Sequence, residues 1–140
     1  MRYGLSEEET YRKLLKKRKQ DLAKASERLK EALNEEKTEI AIDGTLHRFE
    51  FTFELAWKTM KDLMEYNGII ESIGSPREVL KNAFQNGIIE DGETWINMML
   101  AINSLSHLYD EETSRKIYKD IKEKYIVLIE KLNEVLEKQI

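Results

Sequence analysis

The 140-residue sequence contains no cysteine. That excludes a disulfide framework, a thiolate metal site and a cysteine nucleophile, and it agrees with a reducing compartment. Proline is nearly missing, with 1, and the 6 glycines form no cluster of the kind that cradles a phosphate. No apolar run approaches the roughly 20 residues that cross a bilayer. The start, Met1-Arg2-Tyr3-Gly4-Leu5-Ser6, runs into acidic residues with no apolar signal region. A cytoplasmic protein with no membrane association is therefore expected. A basic excess is absent too: 23 Lys and Arg stand against 27 Asp and Glu, a net charge of −4. The chain as a whole is not built to hold duplex nucleic acid by nonspecific phosphate attraction, although a local basic patch stays open.

What is present points to helices. Hydrophobic residues make up 41% and charged residues 36% of the chain, more charge than the usual quarter. The length suits one domain, residues 1–140, with a real core. Ser6 ahead of Glu7, Glu8 and Glu9 reads as a helix start, a hydroxyl cap with carboxylates at the positive end of the dipole. Leu15, Leu22 and Leu29 then recur seven apart, with Ala25 and Ala32 alongside, on a helix that fades near residues 34–36. A second helix carries Leu46, Phe49, Phe53, Ala56, Trp57, Met60, Leu63 and Met64, widened by Phe51 and Leu55. A helix apolar over more than one face is central in a bundle or lies at an oligomer contact. It ends at Asn67-Gly68, but Gly44 leaves its start undecided between Thr38 and Thr45. Ser75-Pro76-Arg77-Glu78 opens a short third helix with a capping box, with Val79, Leu80, Ala83 and Phe84 as its apolar side. Asn86-Gly87 ends it. Asp91 caps a fourth helix with Trp95, Met98, Met99, Ile102 and Leu105. Asp110 opens a long last helix whose expected inner stripe is Ile117, Ile121, Tyr125, Leu128, Leu132 and Val135. Nothing alternates as a strand does. The expected fold is all-α, an antiparallel up-and-down bundle of about five helices joined by short connections.

Candidate chemistry is sparse. The two histidines, His47 and His107, fall on different helices with no His-Glu-x-x-His spacing, so no metal site is expected. Ser106 adjoins His107, but helical neighbours point apart and no strand–turn elbow presents a serine. On the second helix Arg48, Glu50, Glu54 and Lys58 stand four or fewer apart. The two carboxylates can position a substrate or act as base, while a solvated face with ordinary ion pairs is the plainer account. Asn103-Ser104-Leu105-Ser106-His107-Leu108-Tyr109-Asp110 places an imidazole and a phenol two apart at a helix junction. The imidazole can exchange a proton near neutral pH; equally, His107 can cap the fourth helix and Tyr109 pack in the elbow.

The run Arg48-Phe49-Glu50-Phe51-Thr52-Phe53-Glu54-Leu55-Ala56-Trp57-Lys58 resembles the signature of the nucleotidyltransferase substrate-binding protein family. So do Ser75-Pro76-Arg77-Glu78, Asp91-Gly92-Glu93-x-Trp95 and Ser106-His107-x-Tyr109-Asp110, in order over nearly the whole chain. That family is a branch of the HEPN superfamily and is similar to the helical domain of kanamycin nucleotidyltransferase. The resemblance implies an up-and-down helical bundle, often a homodimer. It implies a separately encoded minimal nucleotidyltransferase as partner, which carries the NTP and Mg, so that this chain holds no cofactor of its own. Its role would be a non-catalytic substrate-binding or regulatory subunit, with RNA or a nucleotide as possible substrate and Asn103, Arg48, Glu50 and Glu54 as substrate-binding residues.

Related pairs form toxin–antitoxin modules. In those, the helical member is a ribonuclease with an Arg, four residues, His, x, Tyr motif, silenced when nucleotide is added to the Tyr. On this chain the His falls on His107 and the Tyr on Tyr109, but the Arg position is Ile102. Metal-independent RNA cleavage needs a group that binds phosphate and stabilises developing charge, and isoleucine cannot supply it. The alternative function, a HEPN-type ribonuclease toxin with His107 as acid or base, thus has an incomplete motif unless Arg48 or a dimer mate substitutes in space.

Overall fold

The computed structural model describes residues 6–69, 74–106 and 110–140. Among these, every regular element is a helix. Helix α1 spans Glu7–Leu33, α2 Glu39–Tyr66, α3 Pro76–Gln85 and α4 Gly92–Leu105. The last, α5, is one rod: α-helical over Glu111–Asp120, a π turn over Ile121–Tyr125, and α-helical again over Ile126–Gln139.

Local chemistry sets these limits. Ser6, Thr38, Ser75, Asp91 and Asp110 each accept a backbone N–H with the side chain, which satisfies donors that a helix start leaves open. Thr38 accepts from the Ala41 N–H at 3.1 Å, so α2 starts upstream of Gly44 and runs through it. Gly68 and Gly87, at φ 71° and 73°, end α2 and α3 in the left-handed conformation. Behind them the Ile69 N–H reaches the Met64 carbonyl and the Ile88 N–H the Ala83 carbonyl, both at 2.9 Å, closing each helix as a Schellman motif. At Ser75 the expected capping box takes a variant form. The hydroxyl accepts the Glu78 N–H at 3.2 Å and donates to the Glu78 carboxylate at 3.1 Å, so that carboxylate meets the hydroxyl and not the Ser75 N–H.

Cross-helix pairs give the directions. Arg48 meets Arg28 and Asp62 meets Arg18, so α1 and α2 are antiparallel. Tyr118 reaches Leu33, Asn133 reaches Ser26 and Glu137 reaches Lys19, so α5 runs antiparallel to α1 as well. Trp95 packs tilted on Phe53 with centroids 6.2 Å apart, while Leu105 shares a cleft with Leu46; α4 is therefore antiparallel to α2. Four long helices form the up-and-down bundle. The fifth, α3, has 10 residues, about 15 Å of rise, and sits in the connection between α2 and α4.

The core explains the composition of α2. Phe49, Phe53, Ala56, Met60, Leu63 and Met64 are buried, along with Leu22, Leu29, Trp95, Ile129 and Leu132 from its neighbours. The helix is apolar on more than one side because it packs on α1, α3, α4 and α5. Two expectations shift. Phe84 lies half exposed over Gly92 instead of in the core. The inner stripe of α5 is Ile117, Tyr118, Ile121, Tyr125, Ile129, Leu132 and Leu136; Leu128 and Val135 are only partly buried. The π turn is the cause: it takes up one extra residue, so the inward positions beyond it move from 128 and 135 to 129 and 136.

Candidate functional site

Phe49 and Tyr125 stack at 5.5 Å with their planes 9° apart, and this pair ties the middle of α2 to the π turn. Around it, α2 turns its outer side toward the end of α4 and the start of α5. A cleft of about 190 Å³ there is lined by Asp43, Leu46, His47, Glu50, Leu105 and Ser114. Glu50 is exposed within it. Leu105 closes α4, whose last turn is finished by side chains: the Ser104 hydroxyl donates to the Ala101 carbonyl at 2.7 Å and Ser106 to the Asn103 carbonyl at 3.1 Å. His107 and Tyr109 lie outside the described residues, as do the capping and packing roles considered for them. Asn103 is exposed on α4. Ile102 is partly buried against the hydrophobic core, so the position where the ribonuclease motif has its Arg serves packing here.

Arg48 is held differently. Its Nη1 donates to the Arg28 carbonyl on α1 at 2.6 Å, and its own carbonyl accepts the Thr52 hydroxyl at 2.7 Å. Arg28, Gly44, His47, Arg48, Phe51 and Thr52, with Ala25 behind, line a second hollow of about 380 Å³. His47 is a wall of both hollows. Glu54 sits on the solvent side, its carboxylate accepting from Lys58 at 3.0 Å and from the Trp57 indole at 3.1 Å. Partial burial pushes its acid strength down, but the bonds from Lys58 and Trp57 outweigh this and hold the carboxyl below its usual range. Glu54 therefore takes the solvated, ion-paired arrangement, whereas Arg48 and Glu50 each line a hollow. Among the described residues no group of three or more His, Cys, Asp or Glu converges as a metal would need. No described helix is long and apolar enough to cross a membrane.

The sequence profile of nucleotidyltransferase substrate-binding-like proteins matches residues 17–138. The chain belongs to this family. A Haemophilus influenzae protein named "Probable ribonuclease HepT" is 32% identical over 83 residues, which span 57% of this chain and 57% of that relative. A crystal structure from Thermus thermophilus superposes with a TM-score of 0.76 at 27% identity, over 82% of this chain and 98% of that one. A second, from Haemophilus influenzae, is described as revealing the fold of a substrate binding domain of a nucleotidyltransferase. It superposes at 0.66 with 23% identity, over 89% and 98% of the two chains, and so shares the fold.

Sequence reasoning passed over Arg28 and Phe51 as site residues and weighed His47 only as a metal ligand. A face pattern on α2 carried the signal. Gly44, His47 and Phe51 fall three and four apart and so share one side of a helix.

Proposed function

We propose that the protein is a non-catalytic substrate-binding or regulatory subunit of a separately encoded minimal nucleotidyltransferase, which supplies the NTP and Mg. Ile102 carries this reading: a core-packing side chain stands where a phosphate-binding cation would serve RNA cleavage. Family membership over residues 17–138 points the same way. The substrate surface on this account runs along the outer side of α2, with Arg48 and Glu50 in the hollows, Glu54 at the ion-paired edge, and Asn103 from α4. Self-association into a homodimer and a cytoplasmic setting belong to the same reading. The test is nucleotidyl transfer by the partner enzyme with and without this chain. Stimulated transfer onto a bound substrate is expected; transfer at the same rate in both cases would remove the subunit role.

A second reading, a HEPN-type ribonuclease of a toxin–antitoxin pair, is favoured by the relative named as a ribonuclease. It gives His107 the acid–base role and makes Tyr109 the residue that receives nucleotide. RNA cleavage that disappears in His107→Ala would establish it, and equal rates would remove His107 from the chemistry.

A further inference from the structure

The π turn in α5 does more than displace a stripe. Leu128 and Val135, which an unbroken 3.6-residue period would bury, instead stand partly buried at the margin of the core. Both line one hollow of about 280 Å³. Its opposite wall is the α3–α4 connection over residues 87–90, with Trp95 from near the start of α4. The hollow lies apart from those along α2, because Trp95 and Leu105 are separated by about 15 Å of helical rise. π turns are rare and occur mostly at functional sites. Here the extra residue turns two apolar side chains out of the core and into this wall.

The rim of the hollow carries both signs of charge. Lys131, Lys138, Glu90 and Glu134 stand on it, all exposed. Among the described residues none of the four has an opposite charge within 4.0 Å. Glu134 precedes Lys138 by four positions, the favourable order for a helical ion pair. At that spacing Glu54–Lys58 and Glu111–Arg115 close at 3.0 Å, whereas Glu134 and Lys138 stay open beside the hollow.

We propose that this hollow binds a small zwitterion with an apolar side chain, an α-amino acid. Its carboxylate meets Lys131 and Lys138, its ammonium meets Glu134 and Glu90, and its side chain lies against Leu128 and Val135. The balance of charge selects this class. Two lysines alone would accept any acid, but the two unpaired carboxylates beside them repel one, and a ligand that bears both signs satisfies all four. The volume falls just below the roughly 300–1,000 Å³ of drug-sized ligand sites, which suits a molecule of one residue. The site is separate from the substrate surface along α2 and stands whether or not that reading holds.

The experiment is an NMR titration of isotope-labelled full-length protein with L-leucine, glycine, leucinamide and N-acetyl-leucine. L-Leucine is expected to move the amide signals of Gly87, Ile89 and Lys131 and to leave those of Gly44 and Phe51 in place, with a dissociation constant on the order of 1 mM. Glycine keeps both charges and lacks the side chain, so it should bind at least ~tenfold more weakly. Leucinamide lacks the carboxylate and N-acetyl-leucine the ammonium, and each should bind at least ~fivefold more weakly. Lys131→Glu and Glu134→Lys replace exposed side chains, so both should keep the melting temperature and lose at least ~fivefold in leucine affinity. Absence of any leucine-induced shift, shifts at Gly44 and Phe51 in place of Gly87, or an affinity that both variants leave intact overturns the inference. So does N-acetyl-leucine that binds as well as leucine, because the site then takes an acid and not a zwitterion. Glycine that binds equally well overturns it too, because the wall built by the π turn then plays no part.

Discussion

Ser26 is a buried polar residue that the core accepts because it is fully engaged. Its hydroxyl donates to the Leu22 carbonyl at 2.7 Å and accepts the Asn133 amide at 2.9 Å, joining α1 to α5. Ser26→Ala strands the amide in a partly buried position, and an unpaired buried donor costs about 1–3 kcal/mol. Chemical denaturation should show a loss in that range with an unchanged slope. The helix caps give a pH dependence. The Thr94 hydroxyl, then its N–H, hold the Asp91 carboxyl below the usual range, and the Thr113 hydroxyl, then the Glu112 N–H, do the same for Asp110. A lowered folded pKa adds stability that is fully present above the ordinary Asp value near ~3.9 and is lost as pH falls through the folded value. Replacing both residues by Asn keeps an acceptor but removes the titration. Urea midpoints measured from neutral pH into the acid range should fall less steeply in that double variant than in wild type. Gly44 left the cap at Thr38 open, but those at Ser6, Ser75, Asp91 and Asp110 could be read directly from the sequence. The hollow between α1 and α2 could not: Arg28 and Arg48 lie 20 positions apart and meet only when α1 folds back on α2.

At the scale of the element, α5 is the informative case. Periodicity from Asp110 onward gives a helix with Ile117, Ile121 and Tyr125 inward, and beyond them a stripe of Leu128, Leu132 and Val135, of which Leu132 is buried and the other two only partly so. A π turn is invisible to a fixed 3.6-residue period, because the extra residue appears only as a displaced burial pattern. Its geometry carries a prediction. Deleting Glu123 should convert the turn to ordinary α-helix and keep Ile129, Leu132 and Leu136 facing the core. Deleting Val127, outside the turn, should rotate the same three residues away by about 100°. Thermal melts followed by circular dichroism should place the Glu123 deletion well above the Val127 deletion; equal melting points would contradict this account of α5. On α2, Gly44→Ala should stabilise the protein by about 0.5–1 kcal/mol, the helix propensity of alanine over glycine, since the new methyl meets no atom.

Across the whole molecule, the apolar excess of α2 divides in two. Most of it is the bundle's own core, which accounts for a central helix without invoking a partner. Ile40, 85% exposed, and Phe51 remain outside on the same helix, and Phe51 lines the larger hollow with His47 and Arg48. The all-α fold and the order of helices were legible because each helix carries an apolar stripe and four of the five open on a cap residue that the sequence shows, Ser6, Ser75, Asp91 and Asp110. The up-and-down path of four long helices with a short α3 in one connection follows from the lengths. Function was legible only through family resemblance, since no residue cluster in the sequence announces a reaction. The structure adds the observation that Ile102 belongs to the packing. The central claim, a subunit that serves a nucleotidyltransferase, meets its most direct test in native mass spectrometry of the tagged protein recovered from cells of its own source. The account predicts a complex with a small nucleotidyltransferase. Recovery of this chain alone or only with itself, under conditions where that enzyme is present, would contradict it.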